Sequence, residues 1–247
     1  MQLVFLTALG VGGATIIGSV IGFLFRNISH KFSDLVLAFA AGVMLSAAVL
    51  GLILPSVDCG NIIVTVAGIF TGAVCLNLTD RLVPHLHHLA GVDSEAHPGN
   101  RKLDKVLLFV TAIAIHNLPE GIAAGVSFGS ENISEALLIA GGIALQNIPE
   151  GMVIISPMLA SGISPKRTFL CAAATGVIEI LGTLLGYFAV SIATAILPFA
   201  LAFAGGTMLY VISDEMIPET HHDNEGGATY ALLVGFCVML ISDVLLG

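Results

Sequence analysis

The chain has 247 residues, 56% of them hydrophobic and 10% charged, with a net charge of −9 and a mean hydropathy of +1.00. Soluble domains carry about a quarter charged residues, so a soluble enzyme, a nucleic-acid binder and a disordered tail protein are excluded. The four Cys, at 59, 75, 171 and 237, show no paired spacing and exclude a disulfide scaffold.

Crossing about 30 Å of hydrocarbon takes about 20 apolar residues in a helix. In chain order the sequence predicts eight such spans, at about 2–25, 34–57, 61–79, 105–129, 134–160, 168–191, 194–217 and 228–246. The apolar runs are continuous rather than alternating, which argues against membrane strands. The first span is read as a retained helix, with no basic n-region and no clean cleavage site before residue 25. The fold class is therefore an all-α polytopic membrane protein, a single transmembrane domain over 1–247.

The basic residues orient it. Arg26 and Lys31 follow the first span, Arg81, Arg101, Lys102 and Lys105 surround the connection after the third, and Lys166 and Arg167 follow the fifth. The connections at 58–60, 130–133 and 192–193 hold none. If the basic connections are cytoplasmic, both termini are extracytoplasmic. The long connection 80–104 carries His85, His87, His88 and His97, and the one after span seven reads Glu219, His221, His222, Asp223 and Glu225. Six of the eight His lie in these two segments, which points to metal chelation at the cytoplasmic face rather than to ordinary solvated loops.

Span four contains His116-Asn117-Leu118-Pro119-Glu120-Gly121, and span five contains Gln146-Asn147-Ile148-Pro149-Glu150-Gly151. On a helix, positions i, i+1 and i+4 fall within an arc of about 100°. His116, Asn117 and Glu120 therefore share one face, and Gln146, Asn147 and Glu150 share another. Pro119 and Pro149 cannot donate to the carbonyls of Ile115 and Leu145, so a kink with freed carbonyls is expected at each, lining a cavity where a cation or water can serve them. Gly121, Gly125 and Gly129 make a small-residue stripe for close packing on a neighbour.

Each buried carboxylate costs about 2.5–3.5 kcal/mol on insertion scales, and no span holds a Lys or Arg in its interior to offset Glu120, Glu150 or the third intramembrane acid, Glu179. The acids are either protonated or face a cation. Three carboxylates, one imidazole and several amides suit a divalent transition metal such as Zn²⁺, Fe²⁺, Mn²⁺ or Co²⁺, and carboxylates shared between two ions could build a two-metal centre.

The paired hexads resemble the metal-binding motifs of the ZIP (Zrt-, Irt-like protein) divalent metal transporter family, and Gln146 at the head of the second is similar to its GufA-like branch. The resemblance covers the whole chain. It implies eight transmembrane helices with both termini outside, built as inverted three-helix halves flanking spans four and five (a 3+2+3 arrangement). It implies His116, Asn117, Glu120, Gln146, Asn147, Glu150 and Glu179 as metal ligands, with Glu120 and Glu150 bridging two ions. One ion would take His116, Gln146 and Met44; the other would take Asn117, Asn147 and Glu179. Along the pathway it implies Asp58 and Asp243 at the outer mouth, with Asp80, His85, Asp214 and Glu215 on the exit side. Asp214 stands where family members often have His.

The function expected is uptake of divalent transition metals into the cytoplasm, zinc first and iron, manganese and cadmium as further candidates, across a multi-pass plasma membrane. One helix bundle rocks against the other. No Gly-x4-Gly-Lys-Ser/Thr loop is present to use ATP. Ligands must be deprotonated to bind, so uptake is expected to weaken at low pH. The partners expected are metal ions as substrate and the lipid bilayer, with a homodimer left open and neither nucleic acid nor an organic cofactor. The alternatives are an intramembrane metallohydrolase, which lacks a His-Glu-x-x-His here, and a cation channel, whose flux would not saturate.

Overall fold

A computed structural model describes residues 1–25, 29–82, 115–130, 132–160, 162–221 and 225–246, with the backbone alone at 30, 80–82, 157, 160 and 225. The described residues are helical apart from short connections and contain no strand. Helix α1 is Gln2–Leu24. Helix α2 is His30–Ser46, prolonged by a π-helical stretch Ala47–Ile53 and an α-helical end Leu54–Cys59. Helix α3 is Ile62–Leu82, and α4 is described over 115–127. Helix α5 is Ile133–Val153, followed after Ile154 by the short Ile155–Ala160. Helix α6 is Pro165–Ile192. Helix α7 is Leu197–Val211, prolonged by a π-helical stretch Ile212–Met216 and by Ile217–Thr220, and α8 is Glu225–Leu246.

Seven of these helical rods are long and apolar enough to cross a membrane. The eighth expected span is represented by α4; its start at 105–114, and the 83–104 part of the long connection with His85, lie outside the described residues. Local sequence explains the starts. Ser29 accepts a hydrogen bond from the Phe32 amide. Asn61 accepts from the Ile63 and Val64 amides, and Asn132 from those of Ser134 and Glu135. These are the caps that free helix N-termini require.

Two features depart from the expected pattern. Helix α5 runs through Pro149 without interruption and also breaks at Ile154, just over a turn later. The α2 and α7 rods each carry a π turn just before a proline, with Leu54 N–H donating to Val49 O and Ile217 N–H donating to Ile212 O. Pro55 and Pro218 have no N–H to give to the preceding turn, and the wider π turn accommodates the gap.

Packing divides the helices into two groups. In one, α1 packs on α5 and α6, and α6 packs on α4. A Cβ at Gly18 would fall on the carbonyl of Ile148, one at Gly151 on that of Thr15, and one at Gly125 on that of Thr183. The stripe expected on α4 thus meets α6. In the other group α2 packs on α8 and α3 on α7. There, a Cβ at Gly42 would fall on Leu232 O and one at Gly235 on Phe39 O; the same relation recurs with Gly206 on Ile69 O and Gly72 on Phe203 O. The two sets differ by 163 or 164 residues, so α2 and α8 correspond to α7 and α3, as inverted halves require. The helices α1 and α6 correspond likewise and cross at Gly12 and Gly176, each of which would place a Cβ on the other's carbonyl.

Candidate metal centre

The first hexad lies on α4 and the second on α5, and both face α6, where Glu179 is fully buried. Its carboxylate collects three donors. Asn117 Nδ2 donates to Oε1, Asn147 Nδ2 donates to Oε2 at 2.8 Å, and Thr15 Oγ1 stands 2.9 Å from both oxygens. Asn147 Nδ2 also reaches Val11 O at 3.2 Å. The two asparagines occupy the same position in their hexads, so the acid on α6 is held by equivalent amides from α4 and α5 and by a hydroxyl from α1.

Glu120 is 1% exposed, and neither of its carboxylate oxygens makes a well-formed hydrogen bond among the described residues, although the Gln146 side chain lies beside it. The same holds for both polar atoms of Gln146, for Asn147 Oδ1 and for Glu215 Oε1. Glu120 lies within electrostatic reach of Glu150 and Glu179. Glu150, half-buried, lies within reach of His116 and Glu215. His116 Nε2 is 2.9 Å from Glu215 Oε2. Glu215 sits in the π turn of α7, so this contact joins the two helix groups.

Buried polar atoms without partners are costly and uncommon. Besides the Ser46 and Thr168 hydroxyls, those among the described residues are carboxylate oxygens and side-chain amides, carried by the hexads and by Glu215, the chemistry that oxygen-ligated cations use. Among the described residues no three His, Cys, Asp or Glu side chains gather closely enough to hold one ion by themselves. Amide and hydroxyl oxygens contribute as much to this locality as carboxylates do.

The remaining expected residues are spread along the molecule. Met44 is 1% exposed in an apolar cluster with Ala40, Ala140, Ile143 and Met208. Asp58 is exposed at the end of the α2 rod, Asp214 is exposed beside Glu215, and Asp243 is half-buried near the end of α8. Asp80 has its backbone in α3, its side chain lying outside the described residues, as does His85 altogether.

Two features of the site were not expected from the sequence. Glu215, expected on the exit side, also touches His116. Nothing on α1 was singled out, yet Thr15 and Val11 reach the site. The signal was present in α1 as a buried face of Gly12, Thr15, Gly18, Ser19 and Gly22, on which Thr15 and Ser19 are the polar members.

A family model described as ZIP Zinc transporter matches residues 91–243 of the chain. The chain is 43% identical over 182 residues to Zinc transporter GufA of Myxococcus xanthus, covering 73% of this chain and 70% of that one. It is 36% identical over 245 residues to Zinc transporter ZIPB of Bordetella bronchiseptica, covering 95% and 78%. Similarity to Zinc transporter ZupT of Chlorobaculum parvum is 33% over 252 residues, covering 95% and 94%.

Proposed function

The chain belongs to the ZIP zinc transporter family, and from that membership we propose that it carries zinc, and related divalent transition-metal ions, across the plasma membrane into the cytoplasm. The metal is substrate, held in transit and released. The hydrolase alternative is not carried forward, since the relatives described above are named as transporters.

The observation that carries this reading is the convergence of Asn117, Asn147 and Glu179 beside Glu120, whose two buried oxygens make no well-formed hydrogen bond among the described residues. Buried carboxylates with no Lys or Arg in the interior of any span are offset most simply by a cation. Asn117, Asn147 and Glu179 serve one ion; His116, Gln146 and Met44 serve a second; Glu120 and Glu150 lie between and bridge them. Ligand exchange along Asp58 and Asp243 on the outside, and Asp80, His85, Asp214 and Glu215 on the inside, replaces the ion's hydration shell stepwise.

Zinc uptake into proteoliposomes tests the proposal. The wild-type chain accumulates zinc with saturation, and Glu120→Ala combined with Glu150→Ala reduces uptake to the level of protein-free vesicles. Uptake by the double variant equal to wild type overturns the proposal, and flux that rises linearly with zinc replaces it with a channel.

A further inference from the structure

One of the three donors to Glu179 comes from α1, a helix that supplies none of the expected ligands. Thr15 Oγ1 is equidistant, at 2.9 Å, from the two carboxylate oxygens. Its position is fixed from several sides. One turn earlier α1 and α6 cross at Gly12 and Gly176 with no side chain between them. The Thr15 carbonyl accepts a hydrogen bond from Ser19 Oγ at 2.8 Å and lies against Gly151 of α5. Thr15 is also the residue of α1 that corresponds to Glu179 of α6, 164 positions away, so the pair faces itself across the axis relating the halves. The acid occupies one of two equivalent places and the hydroxyl the other.

The three donors respond differently to a cation. A side-chain amide carries an oxygen as well as its NH₂, so Asn117 and Asn147 can turn and become ligands. Thr15, held at a helix crossing, keeps its hydroxyl toward the carboxylate. A hydroxyl has one proton to donate, so it engages one oxygen of Glu179 and leaves the other for the metal. A carboxylate held this way binds through a single oxygen. That suits a small four-coordinate ion such as Zn²⁺, whose carboxylate oxygens lie at about 2.0–2.2 Å. Larger ions take more oxygens at longer distances, often two from one carboxylate.

We propose that Thr15 is a positioning and specificity-determining residue, whose hydroxyl holds Glu179 to single-oxygen ligation and so favours zinc over larger divalent ions such as cadmium. The inference rests on the reading of Glu179 as a ligand of the transported ion.

The test is initial uptake of zinc and of cadmium into proteoliposomes, as a function of concentration, for wild type, Thr15→Val and Thr15→Ser. Val keeps the shape and removes the hydroxyl; Ser keeps the hydroxyl. A hydrogen bond to a charged group is lost in Thr15→Val, so the half-saturating zinc concentration rises on the order of tenfold. The maximal rate stays within about twofold, because the bridging acids are untouched. The preference for zinc over cadmium falls on the order of tenfold, and Thr15→Ser restores the wild-type preference. An unchanged preference in Thr15→Val overturns the inference. So does a Thr15→Ser variant as impaired as Thr15→Val, which would assign Thr15 to packing alone. If Thr15→Val does not fold, as judged by melting in detergent, Thr15→Ala serves as the hydroxyl-free variant and is read the same way. Failure of the wild-type chain itself to take up zinc would overturn the proposed function instead, so the two failures are distinguishable.

Discussion

His116 Nε2 lies 2.9 Å from Glu215 Oε2, with the two side chains 22% and 25% exposed. While Nε2 is engaged by the carboxylate, that nitrogen is not free to ligate a cation, so for ligation through Nε2 Glu215 competes with the metal for His116. The competition is mild, because even a charged contact with this much access to solvent contributes only about 0.2–1 kcal/mol. Removing the competitor in Glu215→Ala is expected to tighten zinc binding about two- to fivefold in a chelator-competition titration, while uptake slows as the ion loses its step toward the exit. Binding weakened about tenfold would show instead that Glu215 is itself a ligand. Glu120 belongs to the same scale. Its two oxygens, without a hydrogen-bond partner among the described residues and next to Glu150 and Glu179, mark a place where a positive charge is stabilising.

Among the elements, the glycines of α4 and α6 set how near the hexads come to Glu179. A Cβ at Gly125 would fall on the backbone of Thr183, one turn from the acid. Gly125→Val therefore pushes α4 from α6 and costs about 1–3 kcal/mol by overpacking. Melting in detergent is expected to fall by roughly 2–12 °C for a chain of this size, with zinc uptake lost. Gly141→Val is the control, since a Cβ there meets nothing within 4 Å, and it should melt within about 2 °C of wild type. A Gly125→Val chain that melts and transports like wild type would remove the close crossing from the account. The apolar runs were legible in the sequence because the membrane imposes length and composition, and the hexads were legible because paired buried carboxylates are rare. Thr15 was not, since its partner is 164 residues away and a Thr in an apolar helix carries no local signal of what it faces. The π turns of α2 and α7 were not legible either. Pro55 and Pro218 signalled a weak point, but a proline alone does not show that a wider turn precedes it, and Pro149, equally visible, has none before it.

For the molecule as a whole, the quality of packing separates two bodies. Within the group α1, α4, α5 and α6, and within the group α2, α3, α7 and α8, glycines bring backbone directly onto backbone. Between the groups, the glycine contacts among the described residues are with side chains instead. Gly51 meets Ile139, Gly142 meets the Met239 sulfur, and Gly129 meets Leu197. Backbone-to-backbone seating fixes two helices in register, whereas side-chain tips can change rotamer and slide. The surface between the groups is therefore where alternating access should occur, with the hexads and Glu179 moving together and Glu215 remaining with the other body. Joining the two bodies tests this directly. A Cβ on Gly51 would lie 3.8 Å from Ile139 Cβ, the mean separation in disulfides. In a chain whose four native Cys are replaced by Ala, Gly51→Cys with Ile139→Cys should cross-link on oxidation and lose at least about nine-tenths of zinc uptake, because a covalent tie holds one arrangement of the two bodies. Reduction should restore uptake, and each single Cys variant should be insensitive to oxidant. Full uptake by the oxidised, cross-linked chain would mean that the ion crosses without relative motion of the groups, and the sliding surface would have to be sought between other helices.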